Sequence, residues 1–371
     1  MKLAFIHFYT LRLPRGIETL VISLANELSA RGHDVSILTA RTQGARTSVP
    51  VSPRVRLKQF PVFRFYEHRT IQPFYARDLL ASDYDAVIVF FADFGEQILT
   101  RIHSRLRARI AAYWCYSAEQ APHRFQSYRK CGFEEITSLF LADSRFVAES
   151  AGRFFGRPVD VVPVGTDSGF YHPDPDLRQK ARADLGLGDS DFLLLNMAAL
   201  ERAKGAHLVV QALPLVRKQL PDVRYLVLGA GPEEASLRQQ VETLGLQSCV
   251  RFLGTASDIL PLYNAADCFV LLSEAEANSV AMHEAMSCGV PVVVSDTGGV
   301  PEVVDDTCGR MVNRDSPEAI AGAVLELAAD PPLRERLGAA ARQKIVTHLS
   351  WASSARTIES LLQDVVGSAA P

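Results

Sequence analysis

The chain has 371 residues, 48% of them apolar and 22% charged. That is more than one ordinary core needs and comfortable for two, and it argues against disorder. The net charge of −3 divides unevenly: residues 1–165 carry 22 Lys and Arg against 15 Asp and Glu, and residues 166–371 carry 17 against 27. A basic first half suggests a face for something anionic, with solvated surface arginines as the ordinary alternative.

Six cysteines (Cys115, Cys131, Cys249, Cys268, Cys288 and Cys308) lie far apart with no CxxC pair. This argues against a zinc site or disulfide framework and for reduced thiols in a cytoplasmic protein. The opening apolar run Leu3–Ile6 is broken by His7, Arg12 and Arg15, so it reads as a buried strand rather than a signal peptide. Nothing approaches the roughly 18 consecutive apolar residues of a membrane span, and no nucleic-acid partner is expected.

Short apolar runs alternate with helix-period segments throughout, the pattern of parallel sheets covered by helices. Leu3–Phe8 reads as a strand, and Ile17–Arg31 as a helix with Leu20, Leu24 and Leu28 at four-residue spacing. Val35–Thr39, Ala86–Phe91, Ile110–Trp114, Leu139–Ala142 and Val159–Val162 read as further strands. A Pro- and Asp-rich stretch from Pro163 to Asp176 looks like a hinge. The pattern then restarts: strand Phe192–Met197, helix Lys204–Leu220, and strands Tyr225–Leu228, Val250–Leu253, Cys268–Leu271 and Val290–Val294. The fold class expected is therefore α/β, with two Rossmann-like domains, 1–165 and 166–350, facing a central cleft. A final helix near Ala352–Val366, within 351–371, would pack back across the hinge. Ligands of such sheets bind beyond the C-terminal strand ends.

Gly229-Ala230-Gly231 follows a strand but lacks the third glycine of the dinucleotide fingerprint, so a dehydrogenase and a sugar transferase both remain open there. The informative stretch runs from Ser273 to Val293: Ser-Glu-Ala-Glu-Ala-Asn-Ser-Val-Ala-Met-His-Glu-Ala-Met-Ser-Cys-Gly-Val-Pro-Val-Val. Glu276 is placed in a loop before a helix and Glu284 about two turns into it, on the same face. One carboxylate can then accept hydrogen bonds from a sugar ring and the other from a ribose diol, each bond worth roughly 1.5–3 kcal/mol. The N–H groups of Ser279 and Val280 open the helix and can donate to a diphosphate. Two glutamates at this spacing also occur on solvated helices; the surrounding residues make the difference.

This stretch resembles the retaining glycosyltransferases of family 4, with two glutamates separated by seven residues ahead of a helix and a buried strand. The resemblance extends over nearly the whole chain and implies the GT-B fold. It also implies a hexosyltransferase that retains anomeric configuration and uses a nucleotide-sugar donor, UDP-linked such as UDP-GlcNAc or UDP-glucose. Leu200-Glu201-Arg202-Ala203-Lys204-Gly205 looks like the family's basic loop: Lys204 falls on the diphosphate-gripping lysine, but the arginine position holds Ala199. Arg202 is the candidate replacement, with a plain exposed arginine as the alternative. Arg251–Ala256 resembles the turn that receives the base, near Ala256, and Thr297-Gly298-Gly299-Val300-Pro301-Glu302 the glycine loop near the phosphates. A tight turn leaving a buried strand is an equal reading of Gly298 and Gly299.

Pro14-Arg15-Gly16-Ile17-Glu18 resembles the loop whose backbone meets the diphosphate; Gly16 fits, and Arg15 replaces the first glycine. Where relatives carry a His near the sugar, this chain has Tyr116, with His123 seven residues on as a stand-in for the acceptor side. Catalysis then rests on leaving-group stabilisation by Lys204 and helix dipoles, with Glu276 at the sugar and no metal or other cofactor. Asp83-Tyr84-Asp85, Asp174-Pro175-Asp176 and Asp189-Ser190-Asp191 read as loop aspartates. Arg101, Arg105, Arg107, Arg109, Arg124, Arg129 and Lys130 could dock an anionic lipid surface or an acidic carrier, which would make the protein peripheral at a membrane. A UDP-GlcNAc 2-epimerase and a catalytically silent sugar-nucleotide-binding subunit are the alternatives.

Overall fold

The structure, a computed structural model, describes residues 1–7, 16–41, 49–61, 67–90, 96–188, 190–256 and 258–367. The chain folds as two compact units, Met1–Gly165 with Trp351–Pro371, and Thr166–Ser350.

In the first unit, seven strands form one parallel sheet: β1 (Lys2–His7), β2 (Asp34–Ala40), β3 (Arg56–Phe60), β4 (Ala86–Phe90), β5 (Arg109–Trp114), β6 (Leu139–Ala142) and β7 (Asp160–Val161). Their order is β3-β2-β1-β4-β5-β6-β7. The central strands are continuous apolar runs because helices cover both faces of a parallel sheet; every residue of β4 is buried. Helix Gly16–Ala30 buries Leu20, Leu24 and Leu28 as the spacing predicts. It packs against the C-terminal helix Trp351–Gly367, where Glu359 accepts from Arg31 and pairs with His33 Nε2 at 2.9 Å. On the other side of that imidazole, Nδ1 lies 3.1 Å from the N-terminal ammonium.

Six strands build the second unit's parallel sheet: β8 (Phe192–Met197), β9 (Val223–Leu228), β10 (Val250–Gly254), β11 (Cys268–Leu271), β12 (Val292–Ser295) and β13 (Gly309–Val312). Their order is β10-β9-β8-β11-β12-β13. Asp267, buried just before β11, accepts from Arg178 at 2.6 Å, Arg182 at 3.1 Å and the Leu193 N–H at 2.8 Å. This ties the strand start to helix Pro175–Leu185.

Three boundaries differ from expectation for local reasons. The helix expected from Lys204 starts at Ala206, because Gly205 sits at φ 74° and breaks it from a short 3₁₀ turn, Arg202–Lys204. The strand expected from Val290 starts at Val292, after Gly289 turns the chain at φ 74°. Helix Val280–Ser287 is capped by Ser279, whose hydroxyl accepts from the Met282 N–H, so Glu284 is its fifth residue. It stands just over one turn in, not two. Phe8, Phe91 and Asp189 lie outside the described residues. Of the aspartate pairs, Asp174 caps helix Pro175–Leu185 by accepting from the Leu177 N–H, and Asp85 accepts from the Lys2 N–H.

Candidate active site

Strand order in the second sheet reverses between β8 and β11. The two segments leaving those strands, 198–205 and 272–279, therefore part at the point where open α/β sheets bind ligands. They meet backbone to backbone. The Glu274 N–H donates to Ala203 O at 2.7 Å, and a Cβ on Gly205 would stand 2.0 Å from Leu272 O. Only glycine permits that approach at a positive φ.

A third segment closes on the same loop from β12. Ser295 Oγ donates to Ser273 O at 2.6 Å, Thr297 Oγ1 to Glu274 O at 2.9 Å, and the Gly299 N–H to Glu276 O at 2.9 Å. Gly298, at φ 57°, comes so close that a Cβ would lie 2.0 Å from Glu276 O. The glycine loop thus buttresses Glu276 through the backbone.

Held in this way, Glu276 Oε2 accepts from Lys204 Nζ at 2.8 Å and from Ser273 Oγ at 3.1 Å. The lysine and glutamate singled out by sequence are brought together over 72 residues of separation, with their side chains mostly buried. An ion pair so placed is screened less than an exposed one. Lys204 makes this bond; Arg202 stands exposed on the same turn, where burial first, and then its charge and that of Arg314, lower the pKa of His207.

Glu284 has different partners. Its Oε2 accepts from Tyr263 Oη at 2.7 Å, and the residue is buried. Burial pushes its pKa up to about 7, while the phenols of Tyr263 and Tyr171 pull the other way. Glu276 precedes the helix altogether, so the two carboxylates do not share one helix face. Between them, Asn278 is half-buried and Val280 is the first helical residue, with first-turn N–H groups that lack intrahelical acceptors. Ala256 is half-buried just beyond β10.

The first unit holds the remaining candidates. Gly16 is the exposed first residue of its helix, while Pro14 and Arg15 lie outside the described residues. Tyr116 follows β5 with 42% of its surface exposed and has the Arg124 guanidinium 5.2 Å from its ring centroid. His123 is exposed on helix Pro122–Lys130. Part of the basic cluster is occupied: Arg129 lies over Phe154 at 4.2 Å and pairs with Glu134.

Two parallel-sheet Rossmann-like units are the architecture of the GT-B fold, and the comparisons with known proteins give the class, glycosyltransferase. The profile described as Glycosyl transferases group 1 matches residues 178–344, and that described as Glycosyltransferase Family 4 matches residues 14–170. The chain belongs to glycosyltransferase family 4 and is a hexosyltransferase.

It is 27% identical over 366 residues to a GDP-mannose-dependent alpha-(1-6)-phosphatidylinositol monomannoside mannosyltransferase of Mycolicibacterium smegmatis, covering 94% of each chain. It is 25% identical to a D-inositol 3-phosphate glycosyltransferase of Pseudarthrobacter chlorophenolicus, over 93% of this chain and 89% of the other. Among solved structures, Anabaena Alr3699/HepE in complex with UDP and glucose superposes with a TM-score of 0.83 at 20% identity, over 98% of this chain and 99% of that one. The epimerase and silent-subunit alternatives give way to a transferase. No helix among the described residues is long and apolar enough to cross a membrane.

Proposed function

We propose that the protein transfers a hexose from a nucleoside-diphosphate sugar to an anionic acceptor, with retention of anomeric configuration. The observation that carries this reading is the Lys204–Glu276 pair at the switch point of the second unit. In the proposed roles, Lys204 neutralises the departing diphosphate, helped by the N–H groups at Ser279 and Val280 and by Gly298 and Gly299. Glu276, with Asn278 beside it, accepts from the sugar hydroxyls, and Glu284 accepts from the ribose. Ala256 receives the base, Gly16 approaches the diphosphate, and Tyr116 and His123 serve the acceptor. The leaving phosphate takes the acceptor's proton. Arg202 supplies auxiliary positive charge.

UDP is the nucleotide indicated by resemblance of the motifs. The relative named for GDP-mannose, which spans 94% of both chains, favours GDP as the second reading. The mannosyltransferase and the inositol phosphate glycosyltransferase both act, by name, on inositol-phosphate acceptors, which fits the excess of Lys and Arg in residues 1–165. The test is release of UDP or GDP from their hexose conjugates, with and without inositol phosphate or phosphatidylinositol. Release from neither donor with any anionic acceptor overturns the reading.

Two expected results belong here. Glu284→Ala should weaken binding of the preferred nucleoside diphosphate by roughly tenfold or more, the loss of a charged acceptor; titration calorimetry measures it, and unchanged affinity removes Glu284 from the ribose. Turnover should also survive EDTA, because Lys204 and the helix N-terminus supply the charge. Complete loss restored by Mg²⁺ would overturn metal-independent catalysis.

A further inference from the structure

Glu284 is held by Tyr263, which is backed in turn by Tyr171 from a segment distant in sequence. Tyr263 belongs to helix Leu260–Ala265 and is fully buried; its hydroxyl donates to Glu284 Oε2 at 2.7 Å and lies 3.1 Å from Met197 Sδ at the end of β8. Tyr171 lies in the segment that opens the second unit, and its ring meets Tyr263 edge to face at 5.9 Å. That segment is strapped to the Glu284 helix: Tyr171 O accepts from Ser287 Oγ at 2.6 Å and from Arg342 Nη1 at 3.1 Å. Arg342 also donates to Ser287 O. The carboxylate therefore cannot rotate without breaking a buried bond, and the phenol cannot withdraw without disturbing the core around Tyr263.

We propose that Tyr263, backed by the ring of Tyr171, is a positioning residue for the nucleotide, holding Oε2 of Glu284 so that the other oxygen is presented in a fixed direction to the ribose hydroxyls. The inference rests on the reading of Glu284 as the ribose acceptor. Pre-setting a buried acceptor removes the ordering that binding would otherwise require. The phenols also matter to its charge. Burial raises the Glu284 pKa, and both tyrosines oppose that rise. Cys288, the other titratable group that feels Glu284, has its own thiol pushed up to about 12 by burial and stays neutral. Arg342 acts on Cys288, and Asp167 on Tyr171, from the outside.

Removing a phenol leaves burial less opposed, so the Glu284 pKa rises further. The affinity lost on acidification should then be lost at a higher pH than in the parent protein. The experiment measures binding of UDP, GDP and their 2′,3′-dideoxy forms to the whole chain between pH 5.5 and 9 (set as about one and a half to two units either side of the Glu284 value). The variants are Tyr263→Phe, Tyr171→Phe and Glu284→Ala, each with its Tm recorded.

The expected result for each Phe variant is a Kd raised about three- to tenfold for the ribonucleotide. The acid limb should move to higher pH, and the penalty for the dideoxy ligand should shrink. A Phe variant with parental Kd, limb and dideoxy penalty, while Glu284→Ala binds weakly, overturns the positioning role and leaves the ribose role standing. Parental affinity in Glu284→Ala removes the ribose role itself. A uniform loss for ribo- and dideoxynucleotides with an unmoved limb means that the tyrosines only support the fold, which also overturns the proposal.

Discussion

Lys204→Ala should lower kcat/KM by about two to three orders of magnitude, the usual effect of removing one positioned charge from a developing anion. Lys204 is set by the left-handed Gly205 behind it and by its 2.8 Å bond to Glu276, so its ammonium occupies one place before any donor arrives. The same substitution leaves Glu276 with Ser273 as its remaining described partner, and the carboxylate should become a looser acceptor for the sugar. Arg202→Ala serves as the comparison: an exposed arginine outside that bond should change kcat/KM by about threefold or less. Steady-state kinetics on both variants decides the matter. If Lys204→Ala kept more than about a tenth of the parental kcat/KM, the charge on the leaving diphosphate would have to come from elsewhere.

Gly298→Ala should be strongly damaging. The residue sits at φ 57°, and the new Cβ would be 2.0 Å from Glu276 O, a contact that cannot be relieved by rotating a side chain. The left-handed backbone alone costs about 1–2 kcal/mol. Displacing the Glu276 loop adds to that, so a loss of about 3 kcal/mol or more is expected. Gly322→Ala is the matched control. That glycine lies in helix Pro317–Ala329, and its added Cβ would meet nothing within 4 Å; alanine there should be neutral or stabilising by up to about 1 kcal/mol. Denaturant unfolding of the pair tests the steric account. In the folded fraction of Gly298→Ala, the proposed role of Glu276 at the sugar predicts that turnover falls further than nucleotide binding.

The parts of this architecture visible in sequence are those whose signal is local. β1, β4, β8 and β11 read directly as strands because both faces are buried and nearly every residue is apolar. β3, with the sequence Arg-Leu-Lys-Gln-Phe, is an edge strand with mixed exposure, and β13 is four residues long; neither has a run that distinguishes it from loop. Glu276, Glu284 and Lys204 are legible through their motif neighbours. Tyr263 and Tyr171 are not, because what makes them important is interaction with Glu284 across 21 and 113 residues of chain. An isolated tyrosine in an apolar segment reads as core, and here it is core and polar partner together. Gly298 is legible only in part: a glycine before a 3₁₀ turn signals close approach, but not which backbone approaches.

Burial of Glu284 also sets stability against readiness. A carboxyl whose folded value is about 7 against an ordinary 4.5 binds more protons in the folded state than in the unfolded one between those values. Its contribution to stability is therefore fully present below the ordinary value and is lost as pH rises through about 7. Ionising it in place forgoes about 3 kcal/mol. On the proposed role of Glu284, the form that receives a ribose is thus the less stable form. A bound nucleotide restores the difference by mass action, and the empty enzyme is the state most exposed to unfolding on the alkaline side.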